Sequence, residues 1–163
     1  MIRKIEIERF SLITSRKFDD VVAALNAEIG HPDMAEFFKT TRGARTVAEL
    51  ESTVEKAVGK AGLMLFLELD HGSIVSKTTG RDVGKMFRFI IGNPLIMKEM
   101  AKHVPDAGSY APVTVLVDER ADGVHLSYDR MASLLASYGK SDAMAVARNL
   151  DAKVEDLLKR AAA

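Results

Sequence analysis

The sequence predicts an α+β fold: a mainly antiparallel sheet of four to five strands with helices packed on one face. Three observations carry that prediction. Leu63, Leu65, Leu67 and Leu69 alternate with Met64, Phe66, Glu68 and Asp70, the period of a strand with one apolar face. Asp122-Gly123 separates the apolar runs Val113–Val117 and Val124–Tyr128, a hairpin signal because that pair suits positive φ. The element order is strand, two or three helices, two strands, helix, hairpin, two helices. Such grouping of helices points to α+β rather than to alternating strand-helix units.

The elements follow in order. Ile2, Ile5, Ile7, Phe10, Leu12 and Ile13 read as an extended segment with partial alternation, hence a strand. Ser15 is placed to cap the next helix, where Phe18, Val21, Val22, Leu25 and Ile29 recur on one face. Gly30 and Pro32 end that helix. A short helix over Met34–Lys39 takes Asp33 as its cap, and Thr40–Arg45 reads as a loop. Thr46-Val47-Ala48-Glu49 is a capping box, and Leu50, Val54, Ala57, Val58 and Ala61 continue its apolar face to Gly62.

After the Leu63–Leu69 strand, the Ser-, Thr-, Gly- and Lys-rich stretch Gly72–Gly84 reads as a loop of a length that often serves function. Met86–Ile91 is the next strand. Gly92-Asn93-Pro94 then opens a helix over Leu95–His103 that Pro105 stops, with Asp106–Ala111 as a connector. Beyond the hairpin, Asp129 is placed to cap a helix carrying Met131, Leu134, Leu135 and Tyr138, ended by Gly139. A last helix carries Met144, Ala147, Leu150, Val154, Leu157 and Leu158, and its terminal alanines are expected to fray. With helices on one sheet face, Met64, Phe66 and Phe87 look too apolar to be left wet, so a homodimer is expected to cover them.

Composition narrows the function classes. The 163 residues suit one domain, spanning 1–163, with 47% hydrophobic and 28% charged residues. Lys+Arg and Asp+Glu are both 23, so no net charge draws the chain to nucleic acid, which is not an expected partner. Arg42, Arg45, Lys56 and Lys60 are the candidates for a local basic patch. Cysteine is absent, which excludes disulfides, thiolate metal sites and cysteine nucleophiles. The N-terminus lacks the apolar core of a signal peptide and no apolar run approaches membrane-spanning length, so a cytoplasmic protein is expected.

Several motifs in order carry a resemblance. They are Gly62–His71, a strand ending in Asp-His; Ile90-Ile91-Gly92-Asn93-Pro94; Pro112–Val117; and Asp122-Gly123-Val124-His125-Leu126-Ser127-Tyr128. Together they resemble the domain of unknown function 302 family. The resemblance covers a core of about 62–135 and fits the leading strand and helix as well. It implies a compact α+β fold with the β-α-β topology type of TATA-binding-protein-like architectures, often dimeric, with no established activity. Residues 33–60 and 140–163 are then helical extensions.

The candidate ligand-binding residues are Asp70, His71, Gly92, Asn93, His125 and Ser127. Asp70-His71 offers a carboxylate–imidazole pair for proton transfer or metal ligation, against the more ordinary reading of a turn in which Asp70 caps backbone amides and His71 packs at the rim. Gly92-Asn93-Pro94 offers helix-start amides to an anion, or simply a strand-to-helix turn. His125 and Ser127 share one strand face with Tyr128 on the other, without the orienting acid or elbow of a hydrolase. His31 and His103 have structural explanations, no zinc-ligand spacing occurs, and no metal is assigned. Met64, Met86, Met97 and Met100 suit core filling better than a soft-metal set. No cofactor is identified. The leading expectation is a dimeric small-ligand-binding module whose site lies between Asp70-His71, Gly92–Pro94 and the 72–84 segment. An enzyme using His71 as general base or metal ligand is the first alternative, and a structural domain without a pocket is the second.

Overall fold

The structure, a computed structural model, describes residues 2–163. β1 (Arg9–Thr14) leads into α1 (Phe18–Glu28), the helical pair α2 (Met34–Gly43) and α3 (Val47–Ala57), and β2 (Met64–Asp70). α4 (His71–Thr79), β3 (Met86–Gly92), α5 (Pro94–Ala101) and a 3-10 turn at Pro105–Ser109 follow. The hairpin of β4 (Val113–Arg120) and β5 (Gly123–Asp129) precedes α6 (Met131–Ala136) and the long α7 (Ser141–Ala162). The strands form one sheet in the order β1-β5-β4-β3-β2, antiparallel throughout. The expected α+β architecture is therefore the one found.

One face of that sheet makes the core. Phe89 and Ile91 of β3, Val115 and Val117 of β4, and Leu126 and Tyr128 of β5 pack beneath α1, α5, α6 and α7. α7 lies at the centre of this layer: Ala143, Ala147, Leu150, Val154, Leu157 and Leu158 are buried on one of its stripes. Each large apolar side chain buried this way contributes about 1.5–3 kcal/mol. A second, smaller cluster joins Phe37 of α2 and Val54 of α3 to Met64, with Phe66 and Leu95 at its margin. Met64 is thus fully buried, and Phe87 meets Phe18 edge-on at 5.2 Å between ring centroids. The side chains that seemed to require a partner subunit are covered within the chain, so the expected homodimer loses that support.

Several local expectations are corrected. The first strand begins at Arg9 because its partner β5 ends at Asp129, directly opposite; Ile2 and Ile7 stay exposed, and Met1 lies outside the described residues. Lys17, not Ser15, is the residue before α1, and no side chain caps that helix. α2 runs on through Thr40 to Gly43, while α3 stops at Ala57. It stops there because Gly30 and Gly59 let two backbones nearly touch. A Cβ on Gly30 would sit 1.8 Å from the Ala57 carbonyl oxygen, and one on Gly59 2.4 Å from the Ile29 carbonyl carbon. A bulge between Leu65 and Leu67 breaks the leucine alternation and leaves Leu67 half exposed.

Residues 72–84 are no loop over their first half: Asp70 accepts from the Ser73 amide at 2.8 Å and starts α4, which Gly80 ends in the left-handed conformation. At the hairpin tip Ala121 and Asp122 form the turn, and Gly123, with φ 135°, is already the first residue of β5. The C-terminal alanines expected to fray are anchored as far as Ala162, where α7 ends. Thr14 Oγ1 donates to the Ala162 carbonyl at 2.8 Å, Arg16 donates to that of Ala161 at 2.9 Å, and Ala161 is buried.

The cap of α6 is the most consequential correction. Asp129 pairs with Arg9, and the cap comes from Asp151, twenty-two residues further along the chain in α7. Its carboxylate, fully buried, accepts from the Met131 amide at 2.7 Å, the Ala132 amide at 3.0 Å and the Tyr128 hydroxyl at 2.7 Å. One side chain thereby ties α7 to the end of β5 and the start of α6. Burial first, and then the Asp151 charge, push the Tyr128 hydroxyl well above the usual tyrosine range.

Candidate functional site

The six residues singled out from the sequence do not converge. β2 and β3 run antiparallel with Asp70 opposite Phe87 and Met64 opposite Gly92, so Asp70 and Gly92 stand at opposite ends of the pair. The five steps from Phe87 to Gly92 span about 17 Å. No single cleft holds Asp70, His71 and Asn93. Asp70 is engaged as the α4 cap, and the His71 ring, in the first turn of α4, makes no hydrogen bond among the described residues. Asn93 uses both ends of its amide: Oδ1 accepts from the Leu95 amide at 2.8 Å and Nδ2 donates to the Gly62 carbonyl at 2.9 Å. Gly92 matters by close approach, since a Cβ there would meet Pro112 at 3.2 Å and the Phe66 ring at 3.6 Å.

His125 and Ser127 do share a face, the one turned away from the helices. The register aligns it into rows across the strands. Met86, Asp118, His125 and Ile13 form one row; Leu69, Arg88, Leu116, Ser127 and Ser11 form the next. His125 Nε2 lies 2.8 Å from Asp122 Oδ1, and this hydrogen bond is the main reason the Asp122 carboxyl sits below the ordinary aspartate range. Asp118, buried beside it, pairs with Arg120.

Below these rows a groove of about 620 Å³ opens on the uncovered sheet face. Arg88, Ile90, Thr114, Leu116 and Ser127 make its floor, with Arg9 and Asp129 on the β1 side and Tyr110 and Leu134 at its rim. Its electrostatics are set by Arg88. Asp129 is satisfied by a two-pronged pair with Arg9, at 2.6 and 2.9 Å. Arg88 donates once, from Nη2 to Thr114 Oγ1 at 3.1 Å, while its Nε is closed off from water with no partner. Among the described residues no carboxylate pairs with it. A guanidinium carries five donors, so the Nη groups retain unused N–H bonds over an apolar-flanked floor. That arrangement suits a ligand carboxylate or phosphate, which an arginine fork matches in geometry.

Reasoning from the sequence passed over Arg88. The available signal was a lone arginine between Phe87 and Phe89, on the alternate face of an otherwise apolar strand. A second cavity, of about 250 Å³, lies between the α2–α3 pair and α5 and is lined by Phe37, Phe38, Leu50, Phe66, Met97 and Pro112 among others. Among the described residues no three His, Asp or Glu side chains cluster to hold a metal, and no helix is long and apolar enough to cross a membrane.

Comparison with known proteins adds family and fold. A family model described as Domain of unknown function DUF302 matches residues 38–161, which takes in most of both segments read as extensions. The crystal structure of an uncharacterized conserved DUF302 protein from Bacillus stearothermophilus is similar with a TM-score of 0.66. The match covers 94% of this chain and 97% of that one at 11% identity, a likeness of fold alone. The search of curated proteins found no match.

Proposed function

This chain belongs to the DUF302 family, whose name assigns no activity, and from its site we propose that it is a small-ligand-binding module taking an anionic group on the open sheet face. The observation that carries this reading is Arg88: a half-buried guanidinium with one hydrogen bond, an enclosed and unpartnered Nε, and no ion pair among the described residues. Partly burying a charge without a counter-charge is costly, and an anionic ligand offsets that cost. Thr114 supplies a neutral hydroxyl beside it, and Ser127, two strands away across Leu116, is the one residue of the sequence-derived set that lines this groove.

Open sheet faces also serve as platforms for nucleobases, but those stack bases on aromatic rings. Here Phe87, Phe89 and Tyr128 belong to the helix-covered core and Tyr110 stands at the groove's rim rather than in a row of rings on its floor, which favours a small anion over a nucleic acid. The enzyme reading through His71 gains no support, because the ring lies outside the groove and has no hydrogen-bonded partner. The test is titration of the full chain with acetate, benzoate and inorganic phosphate at low ionic strength, followed by the backbone amide signals of Thr114 and Leu116 in NMR, since both flank Arg88 and remain in its variants. Saturable shifts that vanish in Arg88→Met are expected. Their absence in the wild-type chain, or their persistence in the variant, would refute the assignment.

A further inference from the structure

The groove and the second cavity share a wall. Pro112 lines both, and Gly92, by having no side chain, lets the Pro112 ring and the Phe66 ring flank the end of β3. From Arg88 the open face of β3 continues through Ile90 to Gly92, about 13 Å along the strand. Ile90 lines the groove, Pro112 both spaces and Phe66 the far cavity, with Leu67, 49% exposed, opposite Ile90 and Phe38, 42% exposed, at the far cavity, so apolar side chains are spaced from the guanidinium to the α2–α3 pair. The far cavity offers a ligand almost no polar contact. Its two polar side chains are Thr41 and Asn93; Thr41 Oγ1 donates to the Phe37 carbonyl at 3.0 Å, and Asn93 is satisfied at both ends.

Resting on the anion reading above, we propose that the two spaces form one amphipathic site for a single-chain monoanion, a medium-chain carboxylate. Its head meets the free Nη donors of Arg88 beside Thr114. Its tail passes Ile90 and Pro112 and ends among Phe37, Phe38 and Phe66. Charge and length argue together. The cation stands at one end only, and the side chains spaced beyond it are apolar, so a short polar anion leaves the cavity unused and a neutral chain leaves Arg88 unpaired. Burying a tail along this path tightens binding about fourfold per methylene removed from water, enough to separate long from short carboxylates by orders of magnitude.

The experiment is calorimetric titration of the full chain with decanoate, acetate and decanol, each below its aggregation limit, and with vesicles of anionic phospholipid. Decanoate is expected to bind at least a hundredfold more tightly than acetate. Arg88→Met is expected to weaken decanoate tenfold or more without changing decanol. Phe38→Ser, at a position exposed enough to spare the fold, is expected to weaken decanoate and leave acetate unchanged. Equal affinities for acetate and decanoate, both lost in Arg88→Met, would overturn the amphipathic site and leave the anion site standing. No binding of any carboxylate would overturn both. Vesicle binding without decanoate binding would replace the free carboxylate with a membrane surface and overturn this proposal.

Discussion

Replacing Asp151 by asparagine keeps the size and removes the charge, and the structure sets how much that costs. The carboxylate is fully buried and receives three donors: the amides of Met131 and Ala132 and the hydroxyl of Tyr128. An asparagine oxygen can keep the Met131 amide and the Tyr128 hydroxyl, both of which address Oδ1. The new NH2 group then faces the Ala132 amide, donor against donor. One charge-assisted bond is lost and one buried N–H is stranded, an effect of about 2–3 kcal/mol. Asp151→Ala strands the Ala132 amide and the Tyr128 hydroxyl proton, leaves the Met131 amide only its 3.2 Å bond to the Tyr128 oxygen, and opens a cavity, so about 4–6 kcal/mol is expected, a large share of the 5–15 kcal/mol typical of a whole domain. Urea unfolding read by circular dichroism measures both, with m unchanged. A double-mutant cycle with Tyr128→Phe is expected to give a coupling of about 0.5–3 kcal/mol, since the two side chains share one hydrogen bond. If Asp151→Asn unfolds within about 0.5 kcal/mol of the wild-type chain, the view that this carboxylate fastens α7 to α6 is wrong.

Other perturbations read other parts of the molecule. The folded Tyr128 hydroxyl holds its proton more tightly than the unfolded one, so its contribution is complete below about pH 10 and is lost as pH rises beyond it; Tyr128→Phe should flatten that alkaline decline in unfolding free energy. Asp122 behaves in the opposite sense: its carboxyl is held low by His125, so its contribution is present above about pH 4 and lost as pH falls. His125→Ala should return the Asp122 titration to the ordinary range in carbon-detected NMR. Gly30→Ala drives a methyl into the Ala57 carbonyl and should cost about 1–3 kcal/mol or more, seen as a lower urea midpoint; an unchanged midpoint would mean that this backbone crossing is loose.

Much of the fold was legible because its signals are local. Asp33 accepts from the Glu36 amide, as its place before α2 implied, and Thr46 from the Glu49 amide. Glu49 reaches back to the Arg45 amide rather than to that of Thr46, a shift of one residue. The apolar stripes of α1 and α7 pack inward where their spacing placed them. The site was less legible. Turn residues at Asp70 and Asn93 drew notice because they can do chemistry, and both are occupied as helix caps. Arg88 drew none, because an arginine in a strand is informative only when its neighbours on adjacent strands are known. Those neighbours, Leu116, Leu69 and Thr114, lie at least nineteen residues away in the chain.

By itself the sequence determined most of the strand and helix segments, α4 excepted, the antiparallel hairpin and the α+β class, since periods of two and 3.6 residues and capping side chains act over a few positions. The tertiary structure alone decided which face of the sheet stays open, which aspartate caps α6 and which ends of the strands come together. Antiparallel pairing sends the ends of consecutive strands in opposite directions, and so parts Asp70 from Asn93. Register sets Arg88 between Leu69 and Leu116, and among the described residues no carboxylate pairs with it. Both are relations between distant segments, and no local pattern encodes them.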